Sequence, residues 1–280
     1  MGTGQIGTML GMALRAGRAG QAVPDVALFD ADRDTLEASL ARGAGDRALA
    51  GADEALDADA VILAAPVPAI VNLVQALGPR ARRGTLLLDT GSAKRTVVAA
   101  MRTHVAAAVH AVGGHPLAGT EIPGPAGARP ELLEGATFAL CPVREDATAM
   151  DLAAALVRTV GARPFPTDAD DHDRIVALTS HLPHLVAFAL AAAAGDGPAA
   201  DAAPAAALTA TGFLGATRLA ASDPAAIAAF LSQNADHVRA AVERFGATLD
   251  ALAERLEDPD RLRDLLEDGR QARARLTAER

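Results

Sequence analysis

The 280-residue chain contains no tryptophan and no tyrosine, and its seven phenylalanines leave the core to aliphatic side chains. The accompanying abundance of alanine reads as a compositional habit of the encoding genome. Cysteine is nearly absent too: Cys141 alone cannot form an internal disulfide, which fits a reducing compartment. No uninterrupted apolar run reaches the ~18 residues that would predict a membrane-spanning helix. The first residues lack the charged-then-apolar layout of a secretory signal. Positive charge is scarce as well, with 26 Lys and Arg against 35 Asp and Glu, a net charge of −9. That balance argues against a nucleic-acid partner, which is usually held by a basic face. A small anionic substrate stays open, because a few local Arg or His residues decide it. The expectation is a cytoplasmic globular protein with neither a nucleic-acid nor a membrane partner.

What is present is alternation. An apolar helical pattern over 6–15 precedes a strand-like Val26, Ala27, Leu28, Phe29, then a helix over 33–42. A strand over 60–64, a helix over 69–77 and a strand over 86–89 follow. Continuously apolar strands between helices predict a parallel sheet covered on both faces. A Gly/Pro-rich loop over 113–130 leads to further strands near Phe138 and Arg163. From Asp168 onward the pattern is nearly all helix, with breaks at 195–198, 222–224 and 258–259 where Asp and Ser can cap the next start. The reading is an α/β domain over 1–166 followed by an all-α domain over 167–280.

Gly2, Gly4 and Gly7 fit G-x-G-x-x-G and open directly into a helix. Such glycines let backbone approach a pyrophosphate, which then sits on the N–H groups of the helix start. Asp30 lies 23 residues after Gly7 at the end of the next strand, near the spacing of the acid that binds an adenosine ribose. A carboxylate there favours NAD over its 2′-phosphorylated form, and Arg33 nearby weakens the preference. Gln5 and Ile6 complete the candidate cofactor set. The motif should follow a strand, yet only Met1 precedes it, so the α/β domain is expected to lack its first strand. A start codon assigned too late would account for this. The unpaired backbone groups left in the sheet would cost ~1–3 kcal/mol each.

Three further constellations carry chemistry. Asp89, Thr90, Gly91, Ser92, Ala93 and Lys94 form a strand end turning into a helix, where ligands bind in open α/β sheets. Turn and cap usage explains the same residues. Gly113, Gly114, His115, Pro116, Leu117, Ala118, Gly119, Thr120 and Glu121 present a histidine from a predicted loop, poorly placed for core packing. Asp171, His172 and Asp173 are followed by Ser180, His181, Leu182, Pro183 and His184, whose two imidazoles stand three residues apart, on one face if the helix survives Pro183. No H-E-x-x-H pattern accompanies them, so no metal is assigned. Asp168, Asp170, Asp171 and Asp173 read as a solvated helix N-terminus. Arg218, among Ala and Leu, needs an anionic partner, either a protein carboxylate or a substrate.

Taken in order, these segments resemble the prephenate/arogenate dehydrogenase family. The likeness covers essentially the whole chain, and its most specific parts are His115 to Glu121 and Ser180 to His184. The resemblance implies a Rossmann-like domain followed by a helical domain that forms a homodimer. It also implies NAD-dependent oxidative decarboxylation of a cyclohexadienol, prephenate being favoured over arogenate. It makes His115 the base for the C4 hydroxyl, aided by Ser92, and gives Arg218 a substrate carboxylate and His184 the side chain. Thr120 and Glu121 line the cleft. The chain departs from the family where a tryptophan commonly follows the Ser-Asp-Pro proline, having Ile227 instead. With neither a mutase segment upstream nor a regulatory domain downstream in this sequence, tyrosine feedback is expected only at the active site. A β-hydroxyacid dehydrogenase, a pyrroline-carboxylate reductase and a non-catalytic NAD sensor share the general plan and stay open as alternatives.

Overall fold

The structure, a computed structural model, describes residues 1–17, 22–195 and 207–278. The chain divides into two compact units, Met1–Ala235 and Asp236–Arg280.

The first unit is organised by a five-stranded sheet of β3 (Ala60–Leu63), β4 (Leu86–Asp89), β5 (His110–Pro116), β6 (Thr137–Pro142) and β7 (Arg163–Pro166), in that spatial order. All four residues of β4 are buried, which requires cover on both faces. Alternation along the strand divides them between two cores. Leu87 packs with Val67, Ile70 and Val74 of α3 (Val67–Leu77) and with Val97 and Met101 of α4 (Arg95–His104). Leu86 and Leu88 pack with Met9 and Leu10 of α1 (Gln5–Ala16) and with Ala149, Ala153 and Val157 of α5 (Ala147–Thr159). The expected parallel sheet is in fact mixed. β3, β4 and β5 run parallel, but β5 and β6 pair antiparallel. The connection between them holds only short 3-10 turns and no crossover helix, and a parallel return would need one. This pairing also corrects the expected loop start, because residues 113–116 continue β5, with His115 opposite Ala139.

The other strands stand apart. The predicted strand over 26–29 shrinks to β1 (Ala27–Leu28), which pairs with β2 (Arg47–Ala48) in a separate two-stranded sheet; α2 (Arg33–Ala41) links them. Two residues bridge the sheets. The Met1 amino group donates to the Ile62 carbonyl, Ala64 N–H donates to the Met1 carbonyl, and Gly2 N–H donates to the Phe29 carbonyl. Behind this bridge, between β1 and β3, lies a cavity of about 510 Å³ lined by Leu10, Leu14, Val26, Leu28, Val61 and Ile62 among others. No strand among the described residues occupies this space.

After β7 the chain enters α6 (Ala169–Val176), a π-helical turn (Ala177–His181) and α7 (Leu182–Gly195). Pro183 has no N–H for the preceding turn, and the helix passes it by widening to π spacing rather than ending. The resulting 27-residue helix, 169–195, is long and apolar enough to cross a membrane by length and composition, contrary to the expectation that none would be. Its buried residues His172, Asp173, Val176, Ala177 and His181 face the interior of this unit. Then come α8 (Thr211–Thr217), a 3-10 turn (Arg218–Ala221), α9 (Pro224–Ser232) capped by Asp223, and the first residue of α10 (Ala235–Ala253). Ile227, standing where the family commonly has tryptophan, is a buried residue of α9. The second unit holds the rest of α10 and α11 (Pro259–Thr277), whose start is capped by Asp258. The expected breaks at 222–224 and 258–259 are these two caps, whereas 196–198 lies outside the described residues.

Candidate active site

At the start of α1 no side chain caps the helix and no acid occupies the first turn, so its amides are left for an external anion. The glycines make room. A Cβ on Gly4 would meet nothing within 4 Å, whereas one on Gly7 would lie 1.9 Å from the Gly2 carbonyl oxygen. Asp30 stands beside this turn. Its Oδ2 accepts from Thr3 N–H (2.6 Å) and Thr3 Oγ1 (3.0 Å), and its Oδ1 accepts from Asp32 N–H (3.0 Å). Gly2, Gly4, Gly7 and Asp30 therefore surround one helix start. Gln5 and Ile6 turn elsewhere. Ile6 packs against the core, and Gln5 ties down the loop after β5. Its Nε2 donates to Thr120 Oγ1 (2.7 Å) and the Ile122 carbonyl (2.6 Å), and its Oε1 accepts from Thr120 N–H (3.0 Å).

The carboxyl ends of β4 and β5 are joined by buried charge. The Lys94 ammonium bonds the Asp89 carboxylate and the Gly114 carbonyl, with both side chains fully buried. Asp89 also accepts from Gly91 N–H (2.7 Å) and Gly114 N–H (2.9 Å). The lysine of the Gly-Ser-x-Lys turn thus pins the strand that carries His115.

His115 is partly buried one residue before the end of β5, and its Nδ1 lies 2.9 Å from His172 Nε2. His172 Nδ1 in turn lies 2.8 Å from Asp173 Oδ1. Asp173 accepts from the backbone amides of Lys94 (2.7 Å) and Arg95 (3.0 Å), capping α4 from another helix, and the Arg95 guanidinium stands 3.5 Å away. Burial works against its charge, yet the bonds from His172 and the two amides outweigh it and hold the carboxyl below its usual range. His115 is pushed well below the ordinary imidazole value by burial and then by His172, Lys94 and His181, so it stays neutral at neutral pH and keeps a ring lone pair. Asn234, fully buried, donates to the Asp173 carbonyl (2.7 Å) and faces His181 Nδ1 (3.3 Å). His181 is lowered to about 4, chiefly by burial, and its Nε2 has no hydrogen-bond partner among the described residues.

The other expected residues are distributed around this chain of groups. Ser92, partly buried, makes no hydrogen bond to His115, whose Nδ1 faces His172. His184 bonds the Ser180 carbonyl through Nδ1 (2.9 Å) and packs edge-on to Phe230, which His181 also touches. Thr120 is held by Gln5. Arg218 is exposed and paired with Glu121 (3.1 Å), so in this state its anionic partner is a protein carboxylate. The reading of the Asp168–Asp173 cluster as solvated holds for Asp168, Asp170 and Asp171 but fails for Asp173, which is fully buried. Asn234 is absent from the sequence reading, whereas Lys94, His172 and Asp173 stand in it without an assigned role. The buried positions 172, 173, 176, 177 and 181 follow a helical stripe, and extending it backward from Val176 would have exposed His172 and Asp173 as inward-facing.

The family model described as prephenate dehydrogenase, nucleotide-binding domain, matches residues 11–165, and that of the prephenate dehydrogenase dimerization domain matches residues 168–268. A cyclohexadienyl dehydrogenase of Zymomonas mobilis is 30% identical over 99% of this chain and 94% of its own length. A crystal structure of prephenate dehydrogenase from A. aeolicus, in complex with hydroxyphenyl propionate and NAD+, superposes with a TM-score of 0.87 at 26% identity, covering 98% of this chain and 96% of that one. Synechocystis arogenate dehydrogenase shares the fold, with a TM-score of 0.80 at 24% identity over 99% of this chain and 98% of that one. With both halves of the chain matched, and with a dinucleotide-type glycine turn and a neutral histidine in one unit, the chain belongs to the prephenate dehydrogenase family of oxidoreductases.

Proposed function

We propose that the chain catalyses the NAD-dependent oxidative decarboxylation of prephenate to 4-hydroxyphenylpyruvate, a cytoplasmic step of tyrosine biosynthesis. The observation that carries this reading is His115, held neutral at the end of β5 with Nε2 left without a hydrogen-bond partner among the described residues. The cofactor fits the residues present. The uncapped start of α1 with Gly2, Gly4 and Gly7 suits a pyrophosphate, and Asp30 suits a ribose diol. The A. aeolicus relative bound to NAD+ supports the same choice. When bound, NAD supplies the hydride acceptor.

His115 Nε2 takes the proton of the substrate's C4 hydroxyl as hydride leaves C4. The bond from C1 to the carboxylate then breaks, its electron pair completes the aromatic ring as carbon dioxide departs, and His115 returns the proton to the phenol oxygen. Nothing covalent is asked of the protein. Orientation is worth up to about 7–11 kcal/mol in well-aligned systems, and a positioned base about 10²–10⁴-fold. Arg218, released from Glu121, binds a substrate carboxylate as a charge-assisted pair. Thr120, Glu121 and His184 line the cleft, and Ser92 adds a hydroxyl at the turn after β4. The helical residues 167–280 form a domain that joins two copies. The dimerization-domain match and the exposed Leu178, Leu190 and Leu214 favour that role.

The test is NADH formation by the purified protein, offered prephenate and arogenate separately with NAD or NADP. Turnover of prephenate with NAD is expected. Turnover of arogenate alone would replace the substrate, and silence on both from folded, NAD-binding protein would overturn the reading.

A further inference from the structure

We propose that His172 and Asp173 are positioning residues that fix the tautomer of His115, forming a three-member relay of Asp173, His172 and His115. This inference rests on the role given to His115 above. The argument begins at the anchored end. Asp173 is fully buried, accepts two backbone amides from the start of α4 and faces the Arg95 guanidinium, an environment that holds it as a carboxylate. A carboxylate can only accept, so His172 must place its proton on Nδ1, 2.8 Å away. The relay gives His172 that one proton alone, which leaves a lone pair on Nε2 to accept from its neighbour at 2.9 Å. His115 must therefore carry its proton on Nδ1, leaving Nε2 as the lone pair that takes the substrate proton.

The relay is built into rigid structure. His172 is 4% exposed, so water does not compete for either of its nitrogens. Asn234, also fully buried, bonds the Asp173 carbonyl and holds the base of the relay in place. Lys94 secures the other end by bonding the Gly114 carbonyl, one residue before His115. The groups around His172 are thus His115, Asp173, the Arg95 guanidinium beyond the carboxylate and His181, with Lys94 acting on His115 from the other side. Between hydride loss and aromatisation His115 holds an extra proton. His172 Nε2 can share it, and the Asp173 carboxylate stabilises the resulting imidazolium. The proton returns along the same path to the phenol oxygen, so the relay ends the cycle unchanged.

The decisive variant is Asp173→Asn. The amide would remove the charge that stabilises a protonated His172 and would set its NH2 against one of the backbone N–H groups now donated by Lys94 and Arg95, loosening the bond that fixes the His172 tautomer. The expected result is a fall in kcat of about 10²–10⁴-fold with KM changed less than about threefold, as when the carboxylate of a serine-protease triad is replaced. His172→Gln, which restores an accepting oxygen near His115, is expected to keep at least tenfold more kcat than His172→Phe. Because these variants remove a buried partner and can unfold the chain, ¹⁵N NMR of the wild-type imidazoles provides a test that needs no variant and no turnover. Protonated Nδ1 and unprotonated Nε2 at His115 are expected at neutral pH. A proton on His115 Nε2 in the wild type, or kcat per folded Asp173→Asn molecule within threefold of wild type, would overturn the relay. The NMR result is read without substrate, so failure of the proposed reaction and failure of the relay are separable.

Discussion

The gap between β1 and β3 and the junction between β4 and β5 lie in one folded unit and are held together by opposite means. At the first, two sheets are bridged by three backbone hydrogen bonds from Met1 and Gly2, with a cavity of about 510 Å³ behind them. At the second, adjacent strands are bonded in register and then locked by an ion pair with no solvent exposure. The cofactor side works through main-chain amides and the absence of side chains, so it needs shape and little specific chemistry. The histidine side works through buried charges that must each find a partner, since an unpartnered one in that setting is costly.

The largest effect is expected where the chemistry is done. His115→Asn should lower kcat by about 10²–10⁴-fold while binding of a product-like inhibitor persists, measured by steady-state kinetics and calorimetry. Unchanged turnover would remove His115 from the reaction. Next comes the lock. Lys94→Met keeps the volume but leaves Asp89 buried and unpaired, a loss of about 3–5 kcal/mol, or roughly 10 °C in Tm by calorimetric melting. A shift under 3 °C would mean that the pair is not what holds β4 to β5.

The first region is sharpened by filling it. Five or six β-favouring residues such as Val and Ile added ahead of Met1 should seat between β1 and β3. At about 1 kcal/mol per backbone bond gained, Tm should rise by roughly 5–10 °C. No rise would mean that the cavity does not accept a strand. The smallest effect is graded by pH. His181 is lowered from 6.5 to about 4, so between those values the unfolded chain binds a proton that the native state refuses. Stability should therefore fall with falling pH at about 1.4 kcal/mol per unit from this group, a loss that His181→Gln removes. Urea melts from pH 7 to 4 would reveal the slope, and identical slopes in both proteins would assign it elsewhere.

Much of the fold was legible because it rests on periodicity. The buried Leu86, Leu87 and Leu88, the helical stripes of α3 and α4, and the proline-marked starts at Pro224 and Pro259 all follow from local patterns. The antiparallel return at β6 was hidden, because Gly113 and Gly114 read as loop until Cys141 and Leu140 are placed opposite them. The site was legible in part. His115 stood out by its unusual neighbours, but Asp173 looked like its exposed neighbours Asp170 and Asp171. One residue of helical rotation separates a solvated carboxylate from a buried anchor, and composition cannot tell them apart.

By itself, then, the sequence determined the order of elements, the dinucleotide-type turn, the family and the identity of a candidate base. These depend on spacing along the chain and on which residue types can occupy a turn, a strand or a helix face. Only the tertiary structure decided what each polar group touches. It put Glu121 on Arg218, Gln5 on Thr120, His172 on His115 and Lys94 on Asp89. The members of these pairs are separated by anything from five to more than a hundred positions in sequence. Hydrogen bonds and buried charges act over a few ångströms, and that proximity exists only once the strands and helices have packed.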